Sequence, residues 1–177
     1  MVVTLGRAPR PALETPEALL LACHERIRSF AHRARQLAAL DPHGASAAEL
    51  ASAALAISRY FSESIALHVR DEEESVRPRL KGRSASLDAA LAAMEADHDR
   101  DAPWIEALVR ALRHVAEHPE RLSDERLALA TASRRVEEHL AAHLAAEEAT
   151  ILPALAGLAA HERDAIVREI RARRQPG

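Results

Sequence analysis

His68-Val-Arg-Asp-Glu72 and His143-Leu-Ala-Ala-Glu147 carry one pattern, His-x-x-x-Glu, set 75 residues apart. Residues four apart on an α-helix lie on one face about one turn apart, so each stretch aims an imidazole and a carboxylate in the same direction. A further pair keeps nearly the same offset: His24 and His98 are 74 residues apart, and each precedes its His-x-x-x-Glu by 44 or 45 residues. With ten histidines in the chain, roughly one chance His-x-x-x-Glu is expected, so the information lies in the repeat and not in the motif alone. Two helical hairpins built this way bring four imidazoles and two carboxylates to a shared centre. The pattern predicts a dinuclear metal site inside a helix bundle. Its ligands would be His24, His68, Glu72, His98, His143 and Glu147, donors suited to iron, manganese or zinc.

Composition agrees with helix. The 177 residues suit one domain with a proper core. Apolar residues make up 48% and aromatics only 2%, with five glycines, and the Ala/Leu/Glu/Arg-rich remainder favours helix over strand. The net charge is −3, and glutamates are interspersed among the arginines, so no basic stripe for nucleic acid is present. Lys81 is the sole lysine and asparagine is absent, a bias that fits a GC-rich bacterial genome. Cys23 is the single cysteine, which excludes an internal disulfide. No run reaches the ~18 apolar residues of a membrane helix, and the expectation is a cytoplasmic protein without a membrane partner.

Along the chain, residues 1–14 read as a flexible arm. Thr15-Pro16 reads as an N-cap with proline at the first helical position, opening a helix that runs to about Leu40 before Asp41-Pro-His-Gly44. Ser46 with Glu49 forms a capping box for a second helix, expected to stop before Pro78. A third helix runs from near Ser86 to about Val115 through Pro103, which should bend it. A fourth runs from Ser123 or Asp124 to about Thr150, ahead of Pro153, and a short fifth spans roughly His161 to Arg173. The expected fold is all-α: an up-down-up-down four-helix bundle over 15–155, then a C-terminal helix and tail over 156–177. At a rise of 1.5 Å per residue, His98 and His143 lie at matching levels, roughly 27 and 28 Å from the turn between their helices. His24 and His68 match less well, at roughly 24 and 32 Å. Either the first helix continues past Asp41 or residues 41–46 climb along the bundle.

Neighbouring residues carry plainer readings. Glu73 and Glu148 follow the paired glutamates by one residue, rotated by about 100° toward the surface or a neighbouring helix, and read as solvated acids. His32, His43, His114, His118 and His161 fall near helix ends, in loops or outside the repeat, and read as ordinary surface or core histidines. Cys23 reads as a buried structural thiol. Met94, Leu20, Ile27, Phe61, Ile65, Leu91 and Leu140 lie near the proposed ligands and should line and dry a pocket, which suits a small diatomic molecule.

The flanking words strengthen the pattern: Cys23-His-Glu-Arg-Ile-Arg28, His68-Val-Arg-Asp-Glu-Glu-Glu74 with Pro78-Arg-Leu80, Glu95-Ala-Asp-His98, and His143-Leu-Ala-Ala-Glu-Glu148 with Ile151-Leu-Pro153. Taken together they resemble the hemerythrin-like, HHE cation-binding family over roughly residues 15–155. The resemblance implies a four-helix bundle with two non-heme iron ions bridged by carboxylates and an oxo group, with zinc or manganese as possible substitutes. Family members variously bind O₂, sense O₂ or iron, respond to nitric oxide, or help repair iron–sulfur clusters. Oxygen-carrying members have a fifth histidine where this chain has Met94, one turn before His98, whereas the extra histidine here is His139, one turn before His143. Without a fifth histidine, each of two octahedral irons keeps one exchangeable position. The expected function is uptake of O₂ or NO for storage, sensing or scavenging. The alternative is a di-iron oxidoreductase, or a factor in iron–sulfur repair and nitrosative stress. His139 is expected to stay off the metal, and the protein partner is left open.

Overall fold

The computed structural model describes residues 14–41 and 44–175, and all regular structure among them is helical. The proposed arm lies outside the described residues apart from Glu14, and so does His43. Helix α1, Pro16–Ala39, opens as the sequence predicts: the Thr15 hydroxyl accepts the Ala18 N–H at 3.2 Å, with Pro16 at the start. Helix α2 covers residues 47–80 and begins with the Ser46–Glu49 capping box. Helix α3 is Ala85–Glu117, capped by Ser84 and unbroken through Pro103. A 3₁₀ turn, Pro119–Arg121, leads into α4, Leu122–Leu155. Helix α5 is Ala160–Ala172.

Helix α2 differs from expectation. It does not stop before Pro78 but continues to Leu80, and two π-helical turns interrupt it, Tyr60–Ser64 and Asp71–Val76. A π turn closes i→i+5 hydrogen bonds and holds one extra residue; here Ile65 N–H bonds Tyr60 C=O and Arg77 N–H bonds Glu72 C=O. The second π turn explains Pro78: the ladder is already opened just where proline has no N–H to give. Pro153 likewise sits inside α4, which ends only at Leu155. Helix α1 ends at Ala39, so it does not continue past Asp41.

Helix α4 packs along both α1 and α3, α2 packs along α3, and α1 meets α2 more lightly. The buried side chains separate into two clusters. The larger holds Ile27, Phe61, Ile65, Leu108, Leu112, Leu129, Leu140 and Leu144 among others. The smaller joins Leu20, Leu91, Met94, Val76, Leu80, Ile151 and Leu155 to Ile166 and Ile170 of α5. This is why the fifth helix is amphipathic: its two isoleucines close one end of the bundle. The segment after it also grips α2. Arg173 and Arg174 hold the buried Asp71 carboxylate at 2.9 and 2.5 Å, and Arg173 donates to Ser75 Oγ at 2.9 Å. The π turn at 71–76 is therefore clamped from outside by the C-terminal segment, and an isolated buried carboxylate at Asp71 is avoided.

Candidate metal centre

The two hydrophobic clusters flank a layer of polar side chains at mid-bundle. His24 comes from α1, His68 and Glu72 from α2, His98 from α3, and His143 and Glu147 from α4. His24, His68, Glu72, His143 and Glu147 are all buried, and His98 is nearly so. Four-residue spacing does the local work: His68 Nε2 lies 3.3 Å from Glu72 Oε1, and His143 Nε2 lies 3.1 Å from Glu147 Oε1. Across helices, His24 Nε2 stands 3.7 Å from Glu72 Oε1 and 3.5 Å from Glu147 Oε2, while His98 Nε2 stands 3.2 Å from Glu72 Oε2. The structure thus brings all six sequence-predicted residues together. They form two overlapping groups, His24/His68/Glu72/Glu147 and Glu72/His98/His143/Glu147, and within each group the donor atoms lie within 4.8 Å of one another.

These atoms have no other occupation. His24 Nε2, His68 Nε2, His98 Nε2, Glu72 Oε2 and both Glu147 oxygens are buried without a hydrogen-bond partner. Buried polar atoms are normally satisfied, and leaving so many unpaired in one place is costly. A cation within each group satisfies them all, and imidazole with carboxylate is a donor set that divalent and trivalent first-row metals accept. The residues present fit such a group.

The electrostatics point the same way. Burial disfavours the charged form of each group and lowers His68 to about 4. Burial also pulls His98 down, but Glu72 and Glu73 outweigh it and raise that imidazole to about 9. Burial pushes Glu72 upward, yet the charge of His68 and the contacts with His24 and His98 hold it below the carboxylate range. Glu147 is raised, by burial first and then by the charge of Glu72. Two acids forced this close move apart in proton affinity, and positive charge between them removes the conflict.

Glu73 and Glu148 overturn the reading as solvated acids. Glu148 Oε1 meets His24 Nδ1 at 2.9 Å, and Glu73 Oε1 meets His98 Nδ1 at 2.9 Å. The rotation of about 100° from the preceding glutamate brings each to an imidazole on a neighbouring helix while part of its side chain stays in solvent, 39% for Glu73 and 27% for Glu148. By accepting from Nδ1–H, each carboxylate fixes the tautomer that leaves Nε2 free to face the centre. Their signal was in the sequence, since Glu73 and Glu148 share the 75-residue offset. Asp97 Oδ2 serves His143 Nδ1 more loosely, at 3.4 Å. Changing Glu73 or Glu148 to glutamine should weaken metal affinity by about 10–100-fold with little change in the fold, checked by chelator competition alongside circular dichroism.

A cavity of about 680 Å³ lies between α2 and α3 and reaches His68, His98 and His143. Ile27, Phe61, Ile65 and Leu140 line it as expected. Leu20, Leu91 and Met94 do not: they are packed in the smaller cluster on the opposite side of the centre, because the residue one turn before His24 or His98 faces the α5 end of the bundle. Cys23 is half-buried, not fully buried, beside Asp71 and Arg174, and burial raises its thiol to about 11. His139 lies outside both donor groups, its ring 4.2 Å from that of Trp104. His32, His114 and His118 make loose surface pairs with Glu137, Glu125 and Glu120.

Fold and donor set together define a helical protein with a buried histidine–carboxylate cluster built for cations. The sequence matches the Hemerythrin HHE cation binding domain over residues 15–155. The chain belongs to that family. No curated protein and no solved structure matches it. No helix among the described residues is long and apolar enough to cross a membrane.

Proposed function

We propose that this is a non-heme di-iron protein that takes up O₂ or NO. In this reading the four long helices run alternately up and down. His24 and His68 would hold one ion and His98 and His143 the other, with Glu72 and Glu147 within reach of both. One observation carries it: each glutamate turns its two oxygens to different histidine pairs, Glu72 through Oε1 to His24 and His68 and through Oε2 to His98, Glu147 through Oε2 to His24 and through Oε1 to His143. Carboxylates placed this way would be shared by two ions. Iron is favoured over zinc because the donor set has no thiolate and suits a redox pair, and two irons supply the electrons that small oxidants accept.

The chain's own residues do the rest. Glu73 and Glu148 orient the imidazoles. Ile27, Phe61, Ile65 and Leu140 keep the approach apolar, which admits a diatomic molecule and discourages bulk water. His139 lies outside the donor set, so the residues that would hold the ions would leave room for a small ligand beside them. The test is aerobic metal analysis with an optical spectrum. About two irons per chain with charge-transfer bands in the near-ultraviolet support the reading; a colourless protein holding only zinc after growth in iron-rich medium would sink it.

A further inference from the structure

Asp101 is an anomaly on the cavity wall. It is 4% exposed, and neither carboxyl oxygen has a hydrogen-bond partner. It sits on α3, three residues after His98, and lines the same cavity as His68, His98 and His143. Its nearest charged neighbours stand off: Arg100 Nε at 3.6 Å and His139 Nδ1 at 3.9 Å, both beyond hydrogen-bond reach. Asp71, the other buried aspartate, is by contrast fully paired. A buried acid kept unpaired costs stability, so its retention calls for a use.

His139 supplies the second half of the argument. Its side chain is 38% exposed, so it reaches solvent on one side and Asp101 on the other. The Trp104 ring lies against it, and Arg135 lies 5.0 Å from the Trp104 ring centre, which holds the imidazole in place. The repeat also singles the two residues out. The six central residues and their glutamate supports recur at 74–75 residues, whereas Asp101 and His139 correspond to Ile27 and Ser64. The centre is symmetric; this flank of it is not.

We propose that His139 and Asp101 form a proton relay from solvent to the small molecule bound at the centre, with Asp101 as the group that touches the ligand. The inference rests on the di-iron reading. One proton passes from bulk water to His139; the imidazolium gives up its Nδ1–H towards Asp101 Oδ1, 3.9 Å away; the Asp101 carboxylate receives it. The O–H bond of Asp101 then breaks as a bond from hydrogen to the ligand forms. No electron moves in these steps, and each proton lost at one site is gained at the next. The groups facing Asp101 are Asp97 and Arg100 on α3 and His139 and His143 on α4, with Glu73 of α2 on the same cavity. Burial dominates among these influences and raises Asp101 from its ordinary value, against Arg100, His139 and His143. A ligand released unchanged needs no proton. The relay therefore marks turnover of the ligand, not reversible carriage.

The experiment has a metal-free and a metal-loaded arm. Without metal, Asp101→Leu should melt no lower than wild type, since it removes an unpaired buried acid. With iron loaded and reduced, mixing with O₂ in weak buffer containing a pH indicator should show proton uptake slowed about 100-fold or more in Asp101→Asn and Asp101→Leu, at unchanged iron content. His139→Gln should slow uptake and change its pH profile, with added imidazole restoring the rate. Normal iron loading with wild-type proton uptake in Asp101→Asn would overturn the relay alone. Wild-type protein that loads no iron would overturn the di-iron reading and the relay with it.

Discussion

Alanine at Glu72 or Glu147 is expected to reduce the bound metal from two ions per chain to one or none. Each carboxylate contributes a donor to both groups, so one truncation injures both sites at once. Loss of a partner that merely orients a ligand costs about 10–100-fold in metal affinity; loss of a bridging ligand should exceed that for at least one ion. Metal analysis and the absorption of a coupled pair read the outcome. In the metal-free protein the sign should differ. The Glu147 oxygens have no hydrogen-bond partner, and Glu147→Gln removes a buried acid from beside another, so it should melt at or above the wild-type temperature. If both alanine variants kept full metal and an unchanged spectrum, the bridging assignment would be wrong.

Removing the metal is expected to lower the melting temperature by on the order of 10 °C. Ligand present at about 100 times its dissociation constant stabilises a fold by about 2.7 kcal/mol per site. In a chain of this size about 1 kcal/mol moves the melting temperature by roughly 2–4 °C. Two sites together, about 5.4 kcal/mol, give a fall of roughly 11–22 °C. The physical cause is the set of unpaired donors: without cations, imidazole and carboxylate atoms at mid-bundle lose both water and partner. Scanning calorimetry with and without a strong chelator, with metal loss confirmed, makes the measurement. An unchanged melting temperature would mean that the fold does not depend on an ion at this place.

The repeat made the centre legible, because ligand spacing is a covalent property that a helix converts directly into direction. Helix beginnings were legible for the same reason at Thr15 and Ser46, where a side chain caps its own neighbours. The π turns were not. An extra residue turns the following face by about 100°, and nothing within Tyr60–Ser64 or Asp71–Val76 marks where it is inserted; the second is braced by Arg173 and Arg174 on Asp71. For Glu73 and Glu148 the rotation left two directions open, the surface or a neighbouring helix, and the expectation leaned to the surface; the structure gives each a partner on another helix. Leu20 and Met94 were placed near the centre correctly and on the wrong side of it, since chain distance does not say which end of the bundle a side chain faces. Asp101 had no counterpart in the repeat, so nothing in the spacing marked it.

The cross-bracing of the centre bears on how such a chain can arise. Each donor group takes both histidines from one hairpin and a carboxylate from each. The lone histidine of each hairpin is also steadied by a glutamate of the other, His24 by Glu148 and His98 by Glu73. A single hairpin owns half of everything and completes nothing, but two identical hairpins facing each other would supply the whole set. The chain has the form of such a self-complementary pair made continuous through residues 81–84. The two halves differ beside the centre: one carries Asp101 and His139 where the other has Ile27 and Ser64.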